Sequence, residues 1–220
     1  MNKTVELVRL WGVYEAQHPA GTLEEFFRHQ LLAEATQKGS FPADSGFPPQ
    51  GTFPPEGPLI PDINGRLMIL IRRIGKYHIL YSNKALEGTG LLQIEEFGIL
   101  VSIFNQGNPF KSEVIFQNMM ELSSGTNMLM RMKRRGLISE YSDKEDKRMK
   151  RLKLTSKGEQ ALQKGKVKVL QVAVMMMHAL SDEDKQLSIQ ILHQVHAQFE
   201  GKFQKQRNLD FEEIYRENMD

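Results

Sequence analysis

Apolar residues recur along most of this chain at helical spacing. In Thr4–Gln17, Leu7, Leu10, Trp11 and Tyr14 share one face, the repeat of an amphipathic helix. Pro19 and Gly21 end it. Thr22 with Glu25 three residues on predicts the N-cap of a second helix, striped by Leu23, Phe26, Phe27 and Leu31. Two short amphipathic helices are marginal alone, so this arm must pack on something. From residue 38 to 62 proline and glycine replace periodicity, which marks a linker. Phe41, Phe47 and Phe53 recur within it every six residues, a pattern that reads first as tacking onto a surface and second as docking of a partner. A long helix from Ile63 to Leu86 follows, with Leu67, Leu70, Ile71, Ile74, His78 and Tyr81 on one face. Gly88-Thr-Gly stops it.

The next helix, "LLQIEEFGILVSIFNQG", turns Phe97, Leu100 and Phe104 inward. "NPF" suits a short strand, "KSEVIFQNMMEL" a helix, "SSG" a turn and "TNMLMRMKRRG" another helix, with Gly136 where a C-cap belongs. The period then changes. "LISEYS" and "RLKLTS" alternate apolar with polar, as strands do, and "DKEDKRMK" between them is a polar turn. After Thr155 a helix runs to Leu180, with Val169, Val172, Ala173, Met176 and Leu180 inward. Ser181 and Asp184 cap a last helix, in which Leu187, Ile191, Val195, Phe199 and Phe203 repeat every fourth residue. That edge outlasts what a small core needs. An acidic tail closes the chain.

Charge sharpens this outline. The 220 residues carry a net charge of only +2, but it is unevenly spread. Acids outnumber bases about two to one from Met1 to Asp62, whereas Arg131–Lys157 holds eleven Lys or Arg against four acids. A local basic patch on a near-neutral chain is a footprint for phosphate. Cysteine is absent, which excludes disulfides, thiolate metal sites and thiol redox sensing. The N-terminus lacks the apolar core of a signal peptide. The longest apolar runs, Leu67–Ile71 and Val172–Met177, are too short to span a bilayer. A soluble cytoplasmic protein with no membrane partner is expected.

The order helix, turn, basic helix, strand, basic turn, strand, helix is that of a winged helix-turn-helix. An α-helix fits the major groove of double-stranded DNA and reads base edges there. Polar residues at the start of the basic helix reach bases and phosphates: Ser123, Ser124, Thr126 and Asn127, with Arg131 one turn on. Lys133, Arg134 and Arg135 at its end suit backbone phosphate or the helix dipole. The hairpin carries Lys144, Lys147, Arg148, Lys150 and Arg151. An arginine at such a tip enters the narrow minor groove, and Asp146, two residues earlier, is placed to orient Arg148.

On these residues the span from about Asn64 to Phe203 resembles the MarR family of bacterial transcriptional regulators. Asp146, Arg148, Leu152, Leu154, Thr155 and Gly158 match its D-x-R…L-x-L-T-x-x-G wing signature. "MKRRGLI" matches the end of its recognition helix, and "LLQIEEFGIL" its second core helix. The resemblance implies a homodimer with intertwined terminal helices and a pseudo-palindromic operator. It further implies that a small-molecule effector relieves repression. Residue pattern and resemblance together divide the chain into an arm (1–37), the linker (38–62), a first dimerisation helix (63–90), a winged lobe (91–158), C-terminal dimerisation helices (159–205) and the acidic tail (206–220). The fold class is mainly α with a small β-wing. Asn127 stands where the family often has arginine, which leaves the operator sequence open. Val114 and Ile115 replace a usual Leu-Ala. The arm and linker lie outside the family core, and the arm is expected to pack across the dimer partner.

Other chemistries find little support. His193 and His196 share a helix face and His178 lies on the preceding helix, but no convincing fourth ligand accompanies them, so no metal or cofactor is expected. The many methionines, among them Met119, Met120, Met128, Met130, Met132 and Met175–Met177, read as gap-fillers of helical cores. Arg72, Arg73, His78 and Tyr81 lie on the helix that would line an effector pocket. Nucleophile elbows, phosphate-cradling loops and paired-carboxylate motifs are absent, so an enzyme is not expected. The rival reading is a winged-helix protein-interaction module whose basic face docks an acidic protein.

Overall fold

In the computed structural model, residues 2–37 and 62–219 are described. Phe41, Phe47 and Phe53 lie outside them. The elements are α1 (Lys3–Gln17), α2 (Leu23–Gln37), α3 (Ile63–Ala85), α4 (Ile94–Gln106), α5 (Lys111–Gln117), α6 (Leu122–Arg134), β1 (Ile138–Ser142), β2 (Lys150–Leu154), α7 (Ser156–Met177), α8 (Asp182–Phe199), α9 (Lys202–Gln206) and α10 (Phe211–Met219). The chain divides into two units, Met1–Ile71 and Arg72–Asp220, with the division inside α3.

In the first unit α1 and α2 form a helical hairpin. Thr22 and Glu25 cap α2 reciprocally, at 2.7 Å from the Thr22 amide to the carboxylate and 3.2 Å from the Glu25 amide to the hydroxyl. Buried Phe26 meets Trp11 and Tyr14 edge-on, at 5.3 and 5.5 Å between ring centroids. Leu7, Leu23, Phe27 and Leu31 stay exposed, so only part of each apolar stripe is covered within the hairpin. Asp62 caps α3 by accepting from the Gly65 amide at 2.8 Å.

The core of the second unit lies under α4, α5, α6, the hairpin and the start of α7. It includes Leu86, Ile99, Leu100, Ile115, Leu129, Met132, Leu137 and Leu152. Each such side chain contributes roughly 1.5–3 kcal/mol when fully buried. The turn between α3 and α4 uses Gly88 and Gly90 at φ 79° and 95°, a region that favours glycine. β1 and β2 pair antiparallel with Ile138 opposite Leu154 and Ser142 opposite Lys150. "NPF" adds an isolated bridge, Phe110 to Arg151, and the Pro109 carbonyl accepts from the Leu152 amide at 3.0 Å.

A knot of side-chain and backbone contacts joins three elements at the base of this hairpin. Gly136, at φ 72°, ends α6. The Thr155 hydroxyl donates to the Gly136 carbonyl at 2.6 Å and accepts from the Gly158 amide at 3.1 Å, capping α7. Gly158 packs so closely that a Cβ there would stand 2.0 Å from the Leu137 carbonyl oxygen. Lys157 donates to the Arg135 carbonyl at 2.8 Å.

The structure corrects the sequence reading at these points. "SSG" is not a turn: Ser123, Ser124 and Gly125 belong to the first turns of α6. Gly125 is there because α5 leaves no room, a Cβ standing 2.7 Å from Ile115 Cγ2. The turn falls instead at Asn118–Glu121, where Met119 takes φ 51° and Asn118 donates to Ser102 Oγ at 2.9 Å. Phe104 is exposed rather than inward, while Ile99, Leu100 and Ile103 are buried; α4 is apolar on most sides, so spacing does not single out its inner face. Ala173 and Leu180 are exposed, and α7 stops at Met177. α8 stops at Phe199, because Gly201 at φ 75° breaks the helix before Phe203. The acidic tail folds into α10, capped by Asp210 and Glu213. Of the methionines, Met128 and Met132 fill the core, whereas Met119, Met130, Met175 and Met177 are exposed.

Candidate nucleic-acid interface

α6 presents two unlike faces. Gly125, Met128, Leu129 and Met132 are buried against the lobe. At about 100° per residue, Ser123, Ser124, Asn127, Arg131 and Arg134 share an arc of about 100° on the opposite side, and all five are exposed. Thr126 and Lys133 lie to one flank: Thr126 is half-buried, and Lys133 pairs with Glu140 of β1 at 3.6 Å. Met130 is also exposed, beside Ser123 and Arg134 on the helical wheel. The sequence pattern suggests core for it, because a methionine in a helix carries no signal of side.

The hairpin tip is built around Asp143. One carboxylate oxygen accepts from the amides of Glu145 and Asp146 at 3.0 and 3.2 Å. The other binds the Arg151 guanidinium. Foremost that side-chain hydrogen bond, and then the two amides, hold the Asp143 carboxyl down from its usual 3.8 to about 2. Arg151 also donates to the Asn108 carbonyl at 3.0 Å and lies 3.9 Å over the Phe110 ring.

On this scaffold Lys144, Lys147 and Arg148 stand in solvent, and Lys150 reaches Ser142 Oγ at 2.8 Å. The Arg148 side chain is 96% exposed. Its Nε is 3.7 Å from Asp146 Oδ1, longer than a hydrogen bond. Asp146 instead accepts from the Arg148 backbone amide at 2.9 Å. It orders the chain at the tip and meets the guanidinium only as this longer ion pair.

Two arginines of the basic run are turned inward. Arg135 Nη1 donates to Glu96 Oε1 at 2.5 Å, and its Nη2 to the Gly90 carbonyl. Glu96 is only 1% exposed and also accepts from the Leu92 amide at 2.9 Å. Arg135 and Arg151 therefore hold the lobe together. The outward cations of α6 and the tip are Arg131, Lys133, Arg134, Lys144, Lys147 and Arg148.

Elsewhere, an open groove of about 280 Å³ is lined by Tyr81, Lys84, Ala85, Gln171, Val172 and Met175. Of the four residues expected at an effector pocket, only Tyr81 lines it. The His193 and His196 rings lie 6.2 Å apart, and His178 turns to the Met175 carbonyl at 3.0 Å. Among the described residues no three His, Cys, Asp or Glu side chains gather to hold a metal, and no helix is long and apolar enough to cross a membrane.

No protein-family model matches the chain, and no curated protein does. Solved structures do. A mutant MarR from E. coli complexed with operator DNA is 21% identical, with a TM-score of 0.56 over 59% of this chain and 93% of its own. A MarR-family transcriptional regulator from Rhodococcus sp. RHA1 is 20% identical, with a TM-score of 0.55 over 60% and 94%. Bordetella bronchiseptica BpsR, whose DNA binding is regulated by 6-hydroxynicotinic acid, is 18% identical, with a TM-score of 0.55 over 60% and 98%. The chain shares the winged-helix fold of these regulators.

Proposed function

We propose that this chain is a cytoplasmic, non-catalytic transcriptional regulator of the MarR type that binds double-stranded operator DNA as a homodimer. The observation that carries the reading is the exposed arc Ser123, Ser124, Asn127, Arg131 and Arg134 beside a basic hairpin tip, on the fold of a protein solved with operator DNA. In this reading α6 enters the major groove, with Thr126, Asn127 and Arg131 toward bases. Ser123, Ser124, Lys133 and Arg134 meet phosphates. The wing lysines Lys144, Lys147 and Lys150 follow the backbone, and Arg148 enters the minor groove from a tip shaped by Asp146.

Exposed apolar side chains support the dimer: Ile74, Tyr77 and Tyr81 on α3, Leu170 and Val174 on α7, Ile191 and Val195 on α8. So many large apolar groups in water are the mark of an unpaired interface. Two-fold symmetry calls for a pseudo-palindromic operator with half-sites one helical turn apart. Repression relieved by a small molecule is the mode of control we favour.

Fluorescence anisotropy against duplexes from upstream of its own gene, across a salt series, tests the reading. One preferred fragment, bound by two chains with a steep salt slope, is expected. Arg148→Ala lowers that affinity about tenfold with the fold intact. Weak binding equal for every fragment refutes a sequence-specific regulator.

A further inference from the structure

The second unit brings one more segment to α6. α9 and α10 form a hairpin knit by side-chain amides. Buried Gln206 donates to Glu217 at 2.8 Å, and Lys202 donates to Asn218 Oδ1 at 2.8 Å. Asn218 in turn donates to the Ile214 carbonyl at 2.8 Å. From the turn of this hairpin Arg207 Nη2 donates to Glu121 Oε2 at 2.6 Å, across 86 residues of sequence. Its guanidinium carbon lies 5.9 Å from the centre of the Phe116 ring, on α5.

Glu121 is the N-cap residue of α6, and its side chain makes no cap hydrogen bond. Its carboxylate is bound by Arg207 instead. The first amides of a helix lack partners of their own and attract an anion. An unpaired carboxylate there would repel a DNA phosphate approaching Ser123 and Ser124.

We propose that Arg207 is a positioning residue for DNA binding: by pairing with Glu121 it cancels the charge at the start of α6, making the α9–α10 hairpin part of the DNA-binding apparatus. This rests on the regulator reading above. Arg207 does not itself touch the nucleic acid. It also braces the α5–α6 turn through Phe116. The tail that reads as an acidic appendage thus carries, at its turn, a cation committed to the other end of the lobe.

The test uses the full chain and the preferred duplex. Arg207→Gln is expected to weaken binding about fivefold, the scale of one exposed charge pair, with the salt slope unchanged because no phosphate contact is lost. In a Glu121→Gln background the same change costs less than about twofold, and Arg207→Lys restores most of the affinity. An equal loss in both backgrounds overturns the proposal, since Arg207 would then contact DNA directly. No loss in either background overturns it too. Hydrogen exchange without DNA tests the docking separately: Arg207→Gln and Glu121→Gln should each raise exchange in residues 202–219. Unchanged exchange in both removes the contact. If the wild type shows docking yet binds no duplex, the regulator reading fails, and the DNA role of this pair with it.

Discussion

Arg135→Met separates a structural arginine from a phosphate contact. Arg135 holds Glu96 at 2.5 Å, and Glu96 is 1% exposed while Arg135 keeps 27% exposure. Removing the arginine leaves a buried carboxylate whose remaining partner is the Leu92 amide. Breaking a buried pair by deleting one member costs about 3–5 kcal/mol, and the residual exposure of Arg135 favours the lower end, about 3. With a urea m-value of about 2 kcal/mol/M, the midpoint falls by about 1.5 M. Trp11 is the only tryptophan and reports on its own hairpin, so unfolding is followed by circular dichroism. Glu96→Gln added to Arg135→Met removes the unpaired charge and keeps an acceptor for Leu92. It should recover all but about 1 kcal/mol. The salt slope of DNA binding should be the same in all three proteins. A loss under about 1 kcal/mol, together with a slope reduced by about 0.9, would refute the reasoning and return Arg135 to the DNA face.

Gly158→Ala forces a Cβ onto the Leu137 carbonyl, 2.0 Å away. It should cost about 3 kcal/mol, a fall in Tm of roughly 10 °C by calorimetry; a normal Tm would mean the knot is loose. Asp143→Asn should lower the stability of the hairpin by an amount that is constant from pH 7 to about pH 5. Because the folded carboxyl is held at about 2, the ionised form is the bonded one. The difference between wild type and variant then narrows below the usual 3.8 and vanishes as pH falls through about 2. A difference that instead titrates between pH 5 and 7 would assign it to another group. If α8 carries the proposed dimer interface, Ile191→Glu on its exposed edge should give a monomer at micromolar concentration by light scattering, and the wild type a dimer. An unchanged mass would place the dimer interface elsewhere.

Local chemistry was legible wherever one residue type has one use. Thr22 with Glu25, Ser181 with Asp184, and Gly136 all cap as their spacing indicates, and alternation located both wing strands, although β2 begins at Lys150 and ends at Leu154, before the Thr155 and Ser156 that the pattern includes. Ambiguity arose where a residue serves two ends. Gly125 looks like a turn but permits close helix packing, while the true turn uses Met119 at positive φ, which no residue type announces. Charges are visible along a sequence, but their partners are not. Glu96 lies 39 residues from Arg135, and spacing along a chain cannot show that separation closing to an ion pair. The same holds for Arg207 and Glu121. In α10, Asp210 with Glu213 is a cap signal that the acidity of the segment masked.

The knot at Gly136, Thr155 and Gly158 has a mechanical consequence. It ties the end of α6, the base of the wing and the start of α7 to one another. Tied in this way, the three would turn as one lever whose arm is α7, about 33 Å long for its 22 residues. Tilting that arm by about 5° displaces its far end by about 3 Å relative to the fulcrum, a simple ratio of arm to angle. Read in reverse, a shift of that size where α7 meets α8 would rotate the head that carries α6 and the wing, the face proposed to meet DNA. The separation of two such heads would then be set at the ends of the levers, far from any base pair.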